Sequence, residues 1–181
     1  MTLYATFDSP LGELLLVGEA SGAAPGGTAL VSLSVPGQKG GAVVREDWRY
    51  APEAFTAVTA QLGDYFAGRL TRFDLVYADH GTDFQRRVWA ALEDIPYGAT
   101  VSYGDIARQV GSSGAGVRAV GTAIGRNPLL VVRPCHRVIG ADGALRGYAG
   151  GLERKERLLG LEGALPGAES RAGGAGRLPV S

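Results

Sequence analysis

The chain has 181 residues, equal numbers of basic and acidic side chains, 45% hydrophobic and 20% charged residues, the composition of an ordinary globular protein with one large domain or two small ones. No apolar run approaches the roughly 18 residues a membrane span needs, and Met1-Thr2-Leu3-Tyr4 begins neither a basic patch nor a hydrophobic signal segment, so a cytoplasmic protein without a membrane partner is expected. One cysteine, Cys135, excludes an internal disulfide, and the two histidines, His80 and His136, leave no cluster spaced for zinc; no metal or cofactor is expected.

In chain order, residues 3–7 and 13–17 read as strands around the turn Asp8-Ser9-Pro10-Leu11-Gly12, which predicts a hairpin. Residues 18–28 are a Gly/Ala/Ser-rich loop, residues 31–35 alternate as a third strand, and residues 36–41 form a flexible turn. Phe55, Val58, Leu62 and Tyr65 recur at helical spacing and predict a helix over residues 53–66, packed on a small antiparallel sheet. With an extended linker at 72–79, residues 1–80 are expected to form an α/β N-terminal domain.

A mostly α C-terminal domain is expected over residues 81–162. Thr82 and Gln85 form a capping box, and Phe84, Val88, Trp89 and Leu92 give the apolar face of a helix ending near Ile95-Pro96. Ser102 caps a second helix through Val110, a Gly111-Ser112-Ser113-Gly114 turn follows, and a third helix runs over residues 115–125, a pattern that suggests a helix-turn-helix. Residues 129–132 read as a strand or extended segment leading to Pro134-Cys135-His136-Arg137, and a last helix covers residues 151–161. Residues 163–181 are Gly/Ala/Pro-rich and are expected to be a disordered tail.

The neutral total hides an asymmetry. Residues 1–83 carry five Lys+Arg against ten Asp+Glu, and residues 84–162 carry eleven against seven. The basic half is the natural candidate for a polyanion partner, although the charge alone fits a solvated surface equally well. The third helix is rich in small residues: Ala115, Gly116, Ala119, Gly121, Ala123 and Gly125. Each glycine costs a helix about 1 kcal/mol relative to alanine. Close packing against neighbouring helices would explain them. So would a thin face, because a helix roughly 10 Å across must otherwise stand clear of a minor groove about 6 Å wide.

Around Pro134-Cys135-His136-Arg137-Val138-Ile139-Gly140 the chain resembles the O6-alkylguanine-DNA alkyltransferases, also called methylated-DNA-protein-cysteine methyltransferases. The resemblance extends through Ile95-Pro96-Tyr97-Gly98, Arg118-Ala119-Val120-Gly121, Asn127-Pro128, Gly147-Tyr148-Ala149-Gly150-Gly151 and Lys155, spanning residues 82–162. Taking an alkyl group from an aryl ether oxygen requires an ionisable soft nucleophile, which Cys135 supplies, and a base for its proton, for which His136 is the neighbour.

What the resemblance implies goes further. Glu162 matches the glutamate that holds the histidine, with water relaying the proton, and Asn127 matches the asparagine that braces the loop. Tyr103 matches a proton-donating tyrosine near the phosphate and the guanine ring. Tyr148, Ala149 and Lys155 close the base pocket, while the backbone carbonyls of Cys135 and Val138 read the guanine amine. Arg118 matches the finger that fills the space of a base flipped out of the duplex, and Ala123, Ile124 and Arg126 complete the DNA-contacting set. The implied activity is repair: irreversible, once-only transfer of the alkyl group of O6-alkylguanine, and of O4-alkylthymine, to Cys135. The implied partner is double-stranded DNA bound through its minor groove by a monomer, with clustering of copies on DNA left open.

Arg133 departs from the family pattern, in which an apolar residue usually precedes Pro-Cys; it could lower the thiol pKa or pair with a carboxylate. Two other readings compete. A damage-binding module that flips the base without reacting is disfavoured by the presence of the cysteine, and a Cys-His hydrolase would use the same dyad on an ester or peptide.

Overall fold

The hairpin forms where the turn residues place it. In the computed structural model, which describes residues 1–112, 114 and 116–165, strands β1 (Thr2–Ser9) and β2 (Gly12–Ala20) pair antiparallel from Thr2↔Glu19 to Ser9↔Gly12. Ser9 Oγ accepts from Leu11 N–H at 3.0 Å, and Gly12 supplies the positive φ (+106°) that closes the turn. β3 (Thr28–Ser34) pairs antiparallel with β2, with a bulge at Val17/Gly18. A Cβ on Gly18 would stand 2.7 Å from Thr28 Cγ2 and 2.9 Å from the Ala29 carbonyl, so the bulge requires glycine.

The sheet order is β3-β2-β1-β4, and β4 (Arg49–Tyr50) runs parallel to β1. The small sheet is therefore mixed rather than antiparallel; a two-residue strand is too short to show a period in sequence. Helix α1 (Thr56–Phe66) buries Val58, Leu62 and Tyr65, and the predicted start at residue 53 is instead a 3₁₀ turn, Pro52–Phe55.

Contacts divide the chain into two units: residues 1–80 with 128–132, and residues 81–127 with those from 133 onward. The excursion at 128–132 was not legible in sequence. Leu33 N–H donates to the Pro128 carbonyl at 2.9 Å and the Leu33 carbonyl accepts from Leu130 N–H at 3.2 Å, so the segment adds to the free edge of β3 as an isolated bridge rather than a strand.

The second unit is mostly helical. Both sequence-derived caps form: Gln85 N–H donates to Thr82 Oγ1 at 3.1 Å with Thr82 N–H on Gln85 Oε1 at 3.0 Å, opening α2 (Asp83–Glu93). Ser102 and Asp105 do the same for α3 (Tyr103–Gln109), directly after the short strand β5 (Val101–Ser102). The chain turns at Gly111 (φ +76°) and Gly114 (φ +66°) into α4 (Gly116–Gly125); the expected first residue, Ala115, lies outside the described residues. α2 and α3 both pack on α4. β6 (Val138–Ile139) pairs parallel with β5, and α5 (Leu152–Leu161) closes the unit. Residues 163–165, expected to belong to a tail, are instead placed against the second unit. Ala164 is fully buried against Ile139 and Leu159, and its N–H donates to the Leu159 carbonyl at 2.8 Å, because an apolar Ala-Leu pair follows the helix; residues 166–181 lie outside the described residues. No helix among the described residues is long and apolar enough to cross a membrane.

Candidate active site

The chain approaches Cys135 through strained backbone. Val131 has φ +71°, a region that a β-branched residue enters at a cost of about 1–3 kcal/mol. Two tight turns follow, with Val132 N–H on the Leu130 carbonyl at 2.8 Å and Cys135 N–H on the Arg133 carbonyl at 2.7 Å. Cys135–Arg137 then form a 3₁₀ turn, whose end is sealed by Val138 N–H donating to the Cys135 carbonyl. β6 begins at once, and its pairing with β5 brings Tyr103, the first residue of α3, into the neighbourhood of the cysteine. Asn127 Nδ2 donates to the Arg133 carbonyl at 3.0 Å, two residues before the cysteine.

Behind the cysteine lies a buried polar group of three residues. His136 is fully buried, and its Nε2 lies 2.8 Å from Glu162 Oε2, the residue capping the C-terminus of α5. Arg137 binds the same carboxylate with both arms of its fork, Nε to Oε1 at 2.7 Å and Nη2 to Oε2 at 3.0 Å, and its Nη1 donates to the Ile95 carbonyl at 2.6 Å. Burial works against a charged Glu162, but the hydrogen bonds and charges of His136 and Arg137 outweigh it and hold its carboxyl near pKa 2. Burial also dominates at His136, pushing its pKa below the ordinary value of 6.5 despite Glu162. The imidazole is therefore neutral at pH 7. With a carboxylate on Nε2 the proton sits there, and Nδ1, which has no hydrogen-bond partner among the described residues, keeps its lone pair.

Cys135 itself is 4% exposed. Burial drives its pKa up to about 11, against the lowering effects of the Asn127 side chain, Lys155 and Arg133, so the resting group is a thiol and needs a base. Lys155 is buried as well, and desolvation brings its pKa down to about 8. Its Nζ donates to the carbonyls of Arg146 and Gly147 at 3.2 and 3.3 Å, fastening α5 to the loop that carries Tyr148 and Ala149, and it lies 6.0 Å above the Tyr103 ring centroid. Burial, then the nearby Cys135, raise the pKa of Tyr103, which stays a phenol and can donate a proton. Tyr148 meets His136 edge to face at 6.5 Å, and both it and Ala149 are half-buried.

The residues expected to touch DNA separate on α4. Arg118 and Arg126 are exposed, together with Ala119, Thr122 and Gly125. Ala123 and Ile124 are not: they are 3% and 5% exposed, and the Ala123 carbonyl accepts from Trp89 Nε1 at 2.9 Å. Both side chains pack inside the second unit, and the exposed residues at α4 and just after it are 118, 119, 122, 125 and 126. Val138 is fully buried in β6. Two residues were missed by sequence reasoning. Arg137 sits inside the quoted motif, and Glu93 is an acidic residue at a helix C-terminus, where the macrodipole disfavours it; it pairs with Arg133 at 3.1 Å.

The family model described as "6-O-methylguanine DNA methyltransferase, DNA binding domain" matches residues 83–164. A protein of Mycolicibacterium paratuberculosis named methylated-DNA–protein-cysteine methyltransferase is 51% identical over 162 residues, 90% of this chain and 93% of the relative. A protein of the same name from Methanosarcina acetivorans is 47% identical, over 88% of this chain and 97% of that one. The crystal structure of Mycobacterium tuberculosis OGT in complex with DNA matches with a TM-score of 0.79 at 49% identity, covering 90% of this chain and 93% of that chain. Identity at this level over nearly the full length of both partners shows that the chain belongs to the methylated-DNA–protein-cysteine methyltransferases, a family of enzymes.

Proposed function

We propose that this protein repairs DNA by moving the alkyl group of O6-alkylguanine, and of O4-alkylthymine, onto Cys135 in a stoichiometric, irreversible reaction. The observation that carries the reading is the sequence-adjacent pair of one thiol and one buried neutral imidazole whose far nitrogen is fixed by Glu162. In the first step the Cys135 proton passes, through a bridging water, to His136 Nδ1. The thiolate then attacks the alkyl carbon, forming the S–C bond as the C–O bond breaks. The electron pair left on the guanine oxygen is neutralised by the Tyr103 phenol, and the proton held on His136 restores that phenol. The net change is one thiol proton exchanged for one alkyl group, with guanine restored. No group in the site reverses a thioether, so the protein is spent after one turnover.

DNA is the partner that the family and the exposed basic face of α4 support, with OGT of M. tuberculosis crystallised in complex with DNA as the precedent. In this reading α3 and α4 act as a helix-turn-helix: the small-residue face of α4 enters the minor groove, Arg118 fills the gap of the flipped base, Arg126 binds backbone phosphate, and Tyr148 and Ala149 close over the base. The Cys135 and Val138 carbonyls read the guanine amine. The test is the mass of the protein after incubation with an O6-methylguanine duplex. A gain of one methylene on the peptide holding Cys135, absent in Cys135→Ala although that variant still binds the duplex, is the expected result. Unchanged wild-type mass under excess substrate ends the proposal.

A further inference from the structure

Arg133 has no exposed side-chain surface, one residue from Pro134-Cys135. A buried guanidinium is strongly unfavourable without partners, and α2 supplies two of them. Nε donates to Glu93 Oε2 at 3.1 Å, and the guanidinium carbon lies 5.2 Å from the Trp89 ring centroid. Trp89 is itself pinned. Its indole N–H reaches the Ala123 carbonyl of α4, and a Cβ on Gly81 would come within 2.6 Å of two of its ring carbons. The main chain of residue 133 is held as firmly, since its carbonyl accepts from both Asn127 Nδ2 and the N–H of Cys135. Any shift of residue 133 is therefore passed directly to the peptide that carries the nucleophile.

We propose that Arg133 is a positioning residue for alkyl transfer: clamped on Glu93 and Trp89 of α2, it fixes the Cys135 thiol relative to α4. The inference rests on Cys135 being the alkyl acceptor. Its positive charge adds to that of Lys155 from α5 in favouring the thiolate, alongside the Asn127 hydrogen bond, while Tyr103 from α3 and the neutral His136 are the other titratable groups at the thiol.

The full chain, with a single cysteine, permits a clean test. Arg133→Met, Arg133→Lys and Glu93→Gln are compared in three readouts: transfer from an O6-methylguanine duplex, iodoacetamide labelling of Cys135 against pH, and Tm. Arg133→Met is expected to transfer about tenfold more slowly and to label with a midpoint at higher pH, about threefold slower below it. Arg133→Lys restores the labelling midpoint but not the transfer rate, because an ammonium brings back the charge without the planar fork. Glu93→Gln slows transfer, and adding it to Arg133→Met slows it no further, as coupled residues require. A folded Arg133→Met with wild-type rate and labelling midpoint overturns the proposal; should that variant fail to fold, a wild-type transfer rate in Glu93→Gln overturns it. If the wild type gains no mass from the duplex, the proposed function fails instead, and the labelling profile still decides whether Arg133 governs the thiol.

Discussion

Replacing Glu162 by Gln is the perturbation with the most to lose. The carboxylate accepts three donors from two residues, all within 3.0 Å, and is 5% exposed. Gln keeps the shape but offers one oxygen and an NH₂ group. If the oxygen stays with Arg137, the NH₂ faces His136 Nε2, which must then accept, and the ring proton moves to Nδ1. That is the tautomer unable to take the thiol proton, so transfer should fall about a hundredfold or more even in folded protein. The stability loss follows from linkage. A pKa near 2 against an ordinary 4.5, at about 1.4 kcal/mol for each tenfold change in proton affinity, gives roughly 3 kcal/mol, at the lower end of the cost of breaking a buried pair. For a chain of this size that is a drop of about 6–12 °C in Tm. Calorimetry at neutral pH and single-turnover transfer on the same sample read both quantities. A variant that melts with the wild type, or transfers within threefold of it, refutes the assignment of Glu162 as the group that sets the histidine.

Acid titration should resolve the same pair. Both pKa values are depressed in the folded state, so the unfolded chain binds more protons and stability falls with acidification: first below about pH 6.5 from His136, then between about 4.5 and 2 from Glu162. Denaturant midpoints measured from pH 7 to pH 3 should show both stages, and the lower one should shrink in Glu162→Gln to the remainder contributed by carboxyls such as Asp105 and Asp142. Gly81→Ala forces a methyl against the rigid Trp89 ring and should cost about 1–3 kcal/mol in chemical denaturation; a neutral effect would mean the contact is looser than its 2.6 Å geometry. Arg118→Ala should slow transfer from duplex more than from a free O6-alkylguanine base, and equal losses on both would rule out a finger role for this exposed arginine.

Much of the second unit was readable because its signals are local. Thr82 with Gln85 and Ser102 with Asp105 are complete capping boxes in four residues each, and both helices start where those residues say. In the candidate site His136 and Glu162 were legible in the sequence, whereas Arg137 and the wiring were not. Nothing in a string shows that Arg137 bonds Glu162, 25 positions away, or that Arg133 reaches Glu93, 40 away, because such pairs are products of the fold. The faces of α4 were illegible for a different reason: in a ten-residue helix made almost wholly of small and apolar residues, the buried and exposed faces have nearly the same composition, so buried Ala123 and Ile124 could not be told from exposed Ala119. The mixed sheet and the 128–132 excursion escaped because two-residue pairings carry no period.

The most direct test counts turnovers. With an O6-methylguanine duplex in tenfold excess over protein, restored guanine and Cys135 thioether should rise together and stop at one of each per chain, however long the incubation. Guanine continuing to accumulate beyond one equivalent, or guanine appearing without alkyl on Cys135, would contradict direct transfer to the cysteine.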